Sequence, residues 1–424
     1  MPRTIIEHII AAHAGPGVDV RPGSVVWLDL DVRSARDFGG ANVVKNFRAH
    51  YKGEKVADAD KTFFTFDCNA PANTIAYADN QQICRDFAAG QGIRVFDVDA
   101  GIGSHVLTER GLARPGGAVV GTDSHMNILG AVGCFGQGMG DTDVAFAFKT
   151  GRTWFEVPPT IRIELKGTPP PGVFAKDIIL FLIGELGSAG ALGCAVELYG
   201  ESVDEMSVDA RITLASMGTE MGAISILIPP NDETLEWISA RAGKPVEPVY
   251  ADAGAEYVRI LEFDIEGLEP MVACPPSPDN VKPVRAVEGT KIGSGFIGSC
   301  TNGRLDDMAI TADVLSGERV HPVVMLKVVP ATREVWDGMM AGGVLKTVFD
   351  AGAIVSNAGC AGCAAGQIGM TGAGEVQLST SNRNFPGKQG AGDTYLASPA
   401  TAAASAMRGE ITDPRSYILS RTAD

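Results

Sequence analysis

With 424 residues, 45% of them hydrophobic and 20% charged, the chain is long enough for two to four packed domains and too apolar to remain disordered. Its 51 acidic side chains outnumber the 35 basic ones for a formal net charge of −16, which repels a polyphosphate backbone and argues against non-specific nucleic-acid binding. The longest apolar run, at residues 176–187, is too short to span a bilayer and carries Glu185, and the N-terminus lacks a secretory cleavage pattern, so the expectation is a soluble cytoplasmic chain without membrane contact.

"RTIIEHIIAAHAG" has apolar residues at helical spacing and a Gly stop, and predicts a short amphipathic helix. "SVVWLDLDV", "KTFFTFD", "IRVFDVD" and "GAVVGTD" follow as β-branched or aromatic runs ending near an Asp, with the helical pattern "NQQICRDFAAGQG" between two of them. That alternation predicts α/β layers with the functional loops at strand ends. A second mixed block starts near "TIRIELKGTPPPGV", and the prolines of "ACPPSPDNVKPV", from residue 273, suggest an extended linker. A third α/β block runs from "KIGSGFIGSCTNGR" to the C-terminus, so the expected domains are residues 1–160, 161–283 and 284–424.

Eight cysteines in a chain this long make no disulfide framework, and a special role for any of them points to metal or catalysis. Cys300 sits in "GSCTNGR" after a predicted strand, and Cys360 and Cys363 in "NAGCAGC" after another. A CxxC pair plus a distant cysteine is one thiolate short of a closed site; on spacing alone it admits a metal site, a dithiol or a tight turn. "TDSH", with Asp123, Ser124 and His125, pairs a carboxylate with an imidazole, which suits general acid work, although the tripeptide alone also suits a turn or helix cap. In "SNRNFPGK", Arg383 offers a planar fork for a carboxylate, and Asn382 and Asn384 add hydrogen-bonding capacity.

Together "GSCTNGRLDDM", "NAGCAGC", "GTDSHMNILGAVGCFGQGMGDTDVAFAFKTGRTWFEVP", "TSNRNFPGKQG" and "YLASPATAAASAMRGEITDP" resemble the aconitase superfamily, and within it the large subunits of 3-isopropylmalate dehydratases, over nearly the whole chain. The resemblance implies three aconitase-type α/β domains packed around a 4Fe-4S cluster held by Cys300, Cys360 and Cys363, with one iron free of cysteine. It implies a hydro-lyase acting on a small 2-hydroxy di- or tricarboxylic acid. It places Asp123, His125, Asp67, His105 and Glu197 in the acid/base set, and Ser124, Asn382, Arg383, Lys388 and Arg36 against the substrate. The fourth, swivelling domain of single-chain relatives is expected on a separate small subunit, which would supply the catalytic serine.

Three positions depart from the family pattern. An Asp-His pair is expected where this chain has Asp67 and Cys68; a "GICHQ"-like turn reads "GIGSHV", placing Ser104 at the His position and His105 one place later; and Lys388 stands for a second Arg. These changes keep open a substrate of the methylmalate, homoaconitate or secondary-metabolic kind, and also a non-catalytic, cluster-sensing binding protein.

Overall fold

The computed structural model describes residues 1–363 and 367–419, the side chains of Cys363 and Leu419 excepted. The first helix, Ile5–Ala14, forms where its periodicity predicts. Thr4 and Glu7 cap it reciprocally, and Gly15, at φ 88°, ends it.

The apolar runs distribute into three main sheets. The first is wholly parallel and starts at its centre, Val32–Arg36. The chain moves outward through Thr62–Thr65 to Arg94–Phe96, then returns to the other side at Ala118–Gly121 and finishes at Phe135–Gly138. The third sheet repeats this path from a central Ser294–Ile297, through Met325–Val328 to Ile354–Val355, then back through Val376–Ser379 to Asp393–Leu396, all parallel. Each reversal separates the loops that leave two neighbouring strands and opens a crevice at their carboxyl ends. In the first sheet that crevice lies beyond Arg36 and Gly121; in the third it lies beyond Ile297 and Ser379. The middle sheet, also parallel, is ordered Ser225–Leu227, Ala195–Tyr199, Thr160–Lys166, Arg259–Asp264.

The segment read as a linker is structured. Met271–Ala273 and Val281–Pro283 form an antiparallel hairpin on the edge of the third sheet, closed by Cys274 N donating to Asn280 O at 2.8 Å. Pro275 and Pro276 fall in its turn, where no ladder donor is needed, so their composition mimics that of a connector. The apolar run at 176–187 is the helix Ala175–Leu186, buried from Lys176 to Leu180 and again at Leu182 and Ile183. Among the described residues, no helix is long and apolar enough to cross a membrane.

Candidate active site

The loop after Thr62–Thr65 is held by one carboxylate at the start of the helix Asp37–His50. Asp37 Oδ1 accepts from the main-chain N–H groups of Asp67 and Cys68 at 3.2 and 3.0 Å, and Oδ2 from Asn69 N and Gln81 Nε2 at 3.2 and 3.1 Å. Although Asp37, Asp67 and Cys68 place ligand-type atoms within 4.8 Å of one another, both Asp37 oxygens are occupied by these donors, which makes this a loop anchor.

Asp67, fixed in this way, receives Arg36 Nε at 2.7 Å and the Cys68 thiol at 3.3 Å on Oδ1, and Gly103 N at 2.7 Å on Oδ2. Gly103 opens the helix Gly103–Glu109, so Asp67 caps that helix, and a Cβ on Gly103 would lie 2.3 Å from Thr65 Oγ1. Burial pushes the Asp67 carboxyl up to about 6 despite the opposing Arg36 charge. Asp123 lies across the crevice, taking Arg36 Nη1 at 3.0 Å and His125 N at 3.0 Å on Oδ1, with Ser104 Oγ at 3.4 Å from Oδ2. There burial is outweighed by Arg36 and His125, and the carboxyl falls below its ordinary range.

His125 is buried between Ser124, whose Oγ is 3.3 Å from Nδ1, and Glu220, whose Oε1 is 3.1 Å from Nε2. The same Glu220 oxygen accepts from Arg383 Nε at 2.7 Å, while Oε2 is buried without a hydrogen-bond partner among the described residues. The sequence reading missed Glu220. It lies in the 3-10 segment Met217–Met221 and joins the "TDSH" loop to the "SNRN" loop.

The cysteine loops come from the third sheet. The Cys300 thiol faces Asn382 Oδ1 at 3.3 Å, Ser216 Oγ lies 3.7 Å from its sulfur, and Asn382 Nδ2 donates to Ser216 Oγ at 3.0 Å. Cys360 N donates to Asp67 O at 2.8 Å, and Arg36 Nη2 lies 2.7 Å from Cys360 Sγ. The two non-glycine residues with positive φ among those described, Ser299 at 76° and Ala361 at 50°, are direct neighbours of Cys300 and Cys360. Strained backbone concentrates where a loop must present a particular side chain. The main chain of Cys363 closes the turn Ala361–Cys363, but its side chain lies outside the described residues.

Several expected residues sit differently from the sequence reading. The His105 ring meets the Cys300 carbonyl, Nε2 to O 3.0 Å, and is not paired with Asp67. A carbonyl can only accept, so Nε2 carries the proton; burial and then Arg304 lower this imidazole to about 3, leaving it neutral. Glu197 is fully buried elsewhere, accepting from Ile5 N at 2.6 Å and from the hydroxyls of Tyr199 and Tyr257 at 2.7 and 2.8 Å. Its Oε1 ties the first helix to the middle sheet and its Oε2 is taken up by the two tyrosines; residue 197 lies within its strand and short of the carboxyl end. Arg36, expected against substrate, directs its nitrogens to Asp67, Asp123 and Cys360. Asn384 Nδ2 reaches back to Ala273 O at 3.3 Å, whereas the main-chain turn that Lys388 N closes onto Phe385 O at 3.0 Å does not alter the expected place of the Lys388 side chain.

The family model of the Aconitase family (aconitate hydratase) matches residues 7–290 and 282–409. The chain belongs to the aconitase family. It is 46% identical to "3-isopropylmalate dehydratase large subunit 1" of Methanopyrus kandleri, over 99% of this chain and 100% of the relative. It is 43% identical to "Probable methanogen homoaconitase large subunit" of Methanothermobacter thermautotrophicus, over 96% and 97%. Among solved structures, Thermococcus kodakaraensis aconitase X (holo-form) shares the fold, with a TM-score of 0.50 at 13% identity and 83% of each chain covered. Aconitase-family membership implies an enzyme of the hydro-lyase class and, in general, a 4Fe-4S cluster. The described donors fit such a group: Cys300 and Cys360 are buried near one another, each loop is bent to present its thiol, and Arg36 and Ser216 aim N–H and O–H groups at the sulfurs, as thiolate ligands require.

Proposed function

We propose that the chain is the cluster-bearing large subunit of a hydro-lyase that removes and re-adds water on a small 2-hydroxy di- or tricarboxylic acid of the 3-isopropylmalate type, working with a separate small subunit. The observation that carries this reading is the convergence of two crevices. The Arg36–Asp67–Asp123 group comes from the first sheet, Cys300, Cys360 and Arg383 from the third, and Cys360 N to Asp67 O and Arg36 to Cys360 Sγ tie them together.

Cys300, Cys360 and Cys363 would hold the cluster, whose cysteine-free iron supplies a Lewis acid for the substrate hydroxyl. Arg383, its Nε braced by Glu220, and Lys388 would bind substrate carboxylates. His125, fixed between Ser124 and Glu220, would handle the proton that leaves with water, with Asp123 ordering its loop through His125 N. The proton on carbon would go to a serine of the small subunit.

A second substrate, of the homoaconitate type, has support of its own, because the relative named for homoaconitase stands only three points of identity below the one named for isopropylmalate dehydratase, 43% against 46%. The deciding experiment purifies the chain anaerobically with its small subunit and follows alkene absorbance with isopropylmalate, methylmalate and homoaconitate in parallel. Turnover of isopropylmalate supports the reading. Turnover of homoaconitate alone moves the substrate, and inactivity of a fully cluster-loaded complex on all three overturns it.

A further inference from the structure

Arg36 ends the central strand of the first sheet, at the point where the chain reverses direction across that sheet. Its main-chain N donates to Thr122 Oγ1 at 2.9 Å, and its side chain, 11% exposed, reaches Asp67 Oδ1 through Nε at 2.7 Å, Asp123 Oδ1 through Nη1 at 3.0 Å and Cys360 Sγ through Nη2 at 2.7 Å. We infer that Arg36 is a positioning residue that locks the two acids to the cluster loop and donates an N–H···S hydrogen bond to the cluster through Cys360, raising the cluster's reduction potential, rather than a clamp for a substrate carboxylate. The inference rests on the hydro-lyase reading for its cluster.

Three features of the site support it. A guanidinium binds a carboxylate through two parallel N–H groups on one edge, either Nε with Nη2 or Nη1 with Nη2. Both edges of Arg36 are already engaged by protein atoms, so neither presents a free fork to substrate. Second, Asp67 and Asp123 are buried carboxylates, and their neighbours Cys68 and Ser104 approach at 3.3 and 3.4 Å without bringing charge. A cation shared between the two acids compensates what would otherwise be a cluster of buried negative groups. Third, hydrogen bonds and positive charge at ligand sulfurs are among the factors that set the potential of an iron–sulfur centre. A fixed Arg at this place combines both without titrating.

The test uses the full chain with its cluster reconstituted anaerobically. Protein carrying 15N only in arginine is reduced and examined by pulsed EPR; a nitrogen coupling to the cluster spin is expected, and is lost in Arg36→Gln. In an EPR-monitored redox titration, Arg36→Gln should lower the ratio of reduced to oxidised cluster at least tenfold at fixed potential, which is about 59 mV for a one-electron couple. Arg36→Lys, which keeps charge without the fork, should fall between. With the small subunit present, KM should stay within about twofold while kcat falls. An unshifted potential with a KM raised tenfold overturns the inference and makes Arg36 a substrate clamp. If Arg36→Gln does not retain its cluster, the wild-type protein decides: absence of the arginine nitrogen coupling overturns the assignment. A protein that shows the coupling but dehydrates no 2-hydroxy acid refutes the hydro-lyase reading and leaves Arg36 in place.

Discussion

Replacing Glu220 by Gln tests the link between the two functional loops. In the native protein one oxygen, Oε1, accepts from His125 Nε2 at 3.1 Å and Arg383 Nε at 2.7 Å, both buried or nearly so. The amide keeps the shape and one acceptor but removes the negative charge that both donors face. With its carbonyl oxygen kept at the Oε1 position, its NH2 group falls where Oε2 now stands, a buried place without a hydrogen-bond partner among the described residues, so a buried donor is left unmatched. A hydrogen bond to a charged partner is stronger by roughly 1–2 kcal/mol than a neutral one, and an unmatched buried donor adds about 1 kcal/mol or more. The sum, about 2–3 kcal/mol, corresponds to a loss of roughly 30- to 150-fold in kcat/KM. The assay is steady-state alkene formation by the complex with its small subunit, with iron and sulfide content measured on the same samples. A variant that holds a full cluster and keeps kcat/KM within threefold of the native enzyme would refute the reasoning, since Glu220 would then be a buried strut without bearing on His125 or Arg383.

The remaining expectations concern architecture. Glu197→Gln should leave kcat/KM within about twofold and cost about 1–3 kcal/mol in chemical unfolding, because Glu197 accepts from Ile5 N, Tyr199 and Tyr257 and from none of the site residues; a large fall in kcat at native stability would restore it to the site. Gly103→Ala should destabilise the chain by about 1–3 kcal/mol, as its Cβ would stand 2.3 Å from Thr65 Oγ1 at the point where Asp67 caps the helix, and a melting temperature equal to the parent's would count against that packing. Burial raises Asp177 to about 7, although Phe174 N and Met271 N, each at 2.9 Å, oppose the shift. A carboxyl whose folded pKa exceeds its unfolded value of about 3.9 binds more protons in the fold, so its contribution is fully present below about pH 4 and is lost as pH rises to 7, at up to about 1.4 kcal/mol per pH unit. Denaturant midpoints should therefore show a steeper decline between pH 5 and 7 in the parent than in Asp177→Asn; equal slopes would contradict the shift.

The parts of the site that were legible share one property: they lie at the carboxyl end of a strand whose apolar run is visible in the sequence. Asp67 follows "TFFT", Asp123 follows "AVVG", and Cys300 follows "SGFI", so strand periodicity locates these loops without reference to any contact. Partners across the fold carry no such local mark. Arg36 meets residues 31, 87 and 324 positions away, and no periodicity relates those positions. Its reading as a substrate ligand follows from the resemblance, whose matching segment contributes a polar side chain to the pocket, and a matching segment does not distinguish a guanidinium facing substrate from one closed between two sheets. The proline-rich turn at 275–276 failed for a related reason: the composition of a linker and of a hairpin turn is the same, and only pairing across Met271–Ala273 and Val281–Pro283 separates them.

Glu220 carries a sequence signal of its own. It is an isolated acid in "LASMGTEMGAISIL", residues 214–227, where the neighbouring apolar residues Met217 and Met221 are fully buried. A carboxylate held in such a run must find partners or be expelled, because burying it alone costs more than a single helix or turn returns. That rule requires a partner without naming it, and the two donors that meet Glu220, His125 and Arg383, stand 95 and 163 residues away. Isolated acids inside apolar segments therefore mark where distant loops are joined, whereas acids at strand ends mark where a loop begins. In this chain Glu220 is of the first kind and Asp67 and Asp123 are of the second, and Glu197, an acid within its strand, holds helix to sheet for the same reason that Glu220 holds loop to loop.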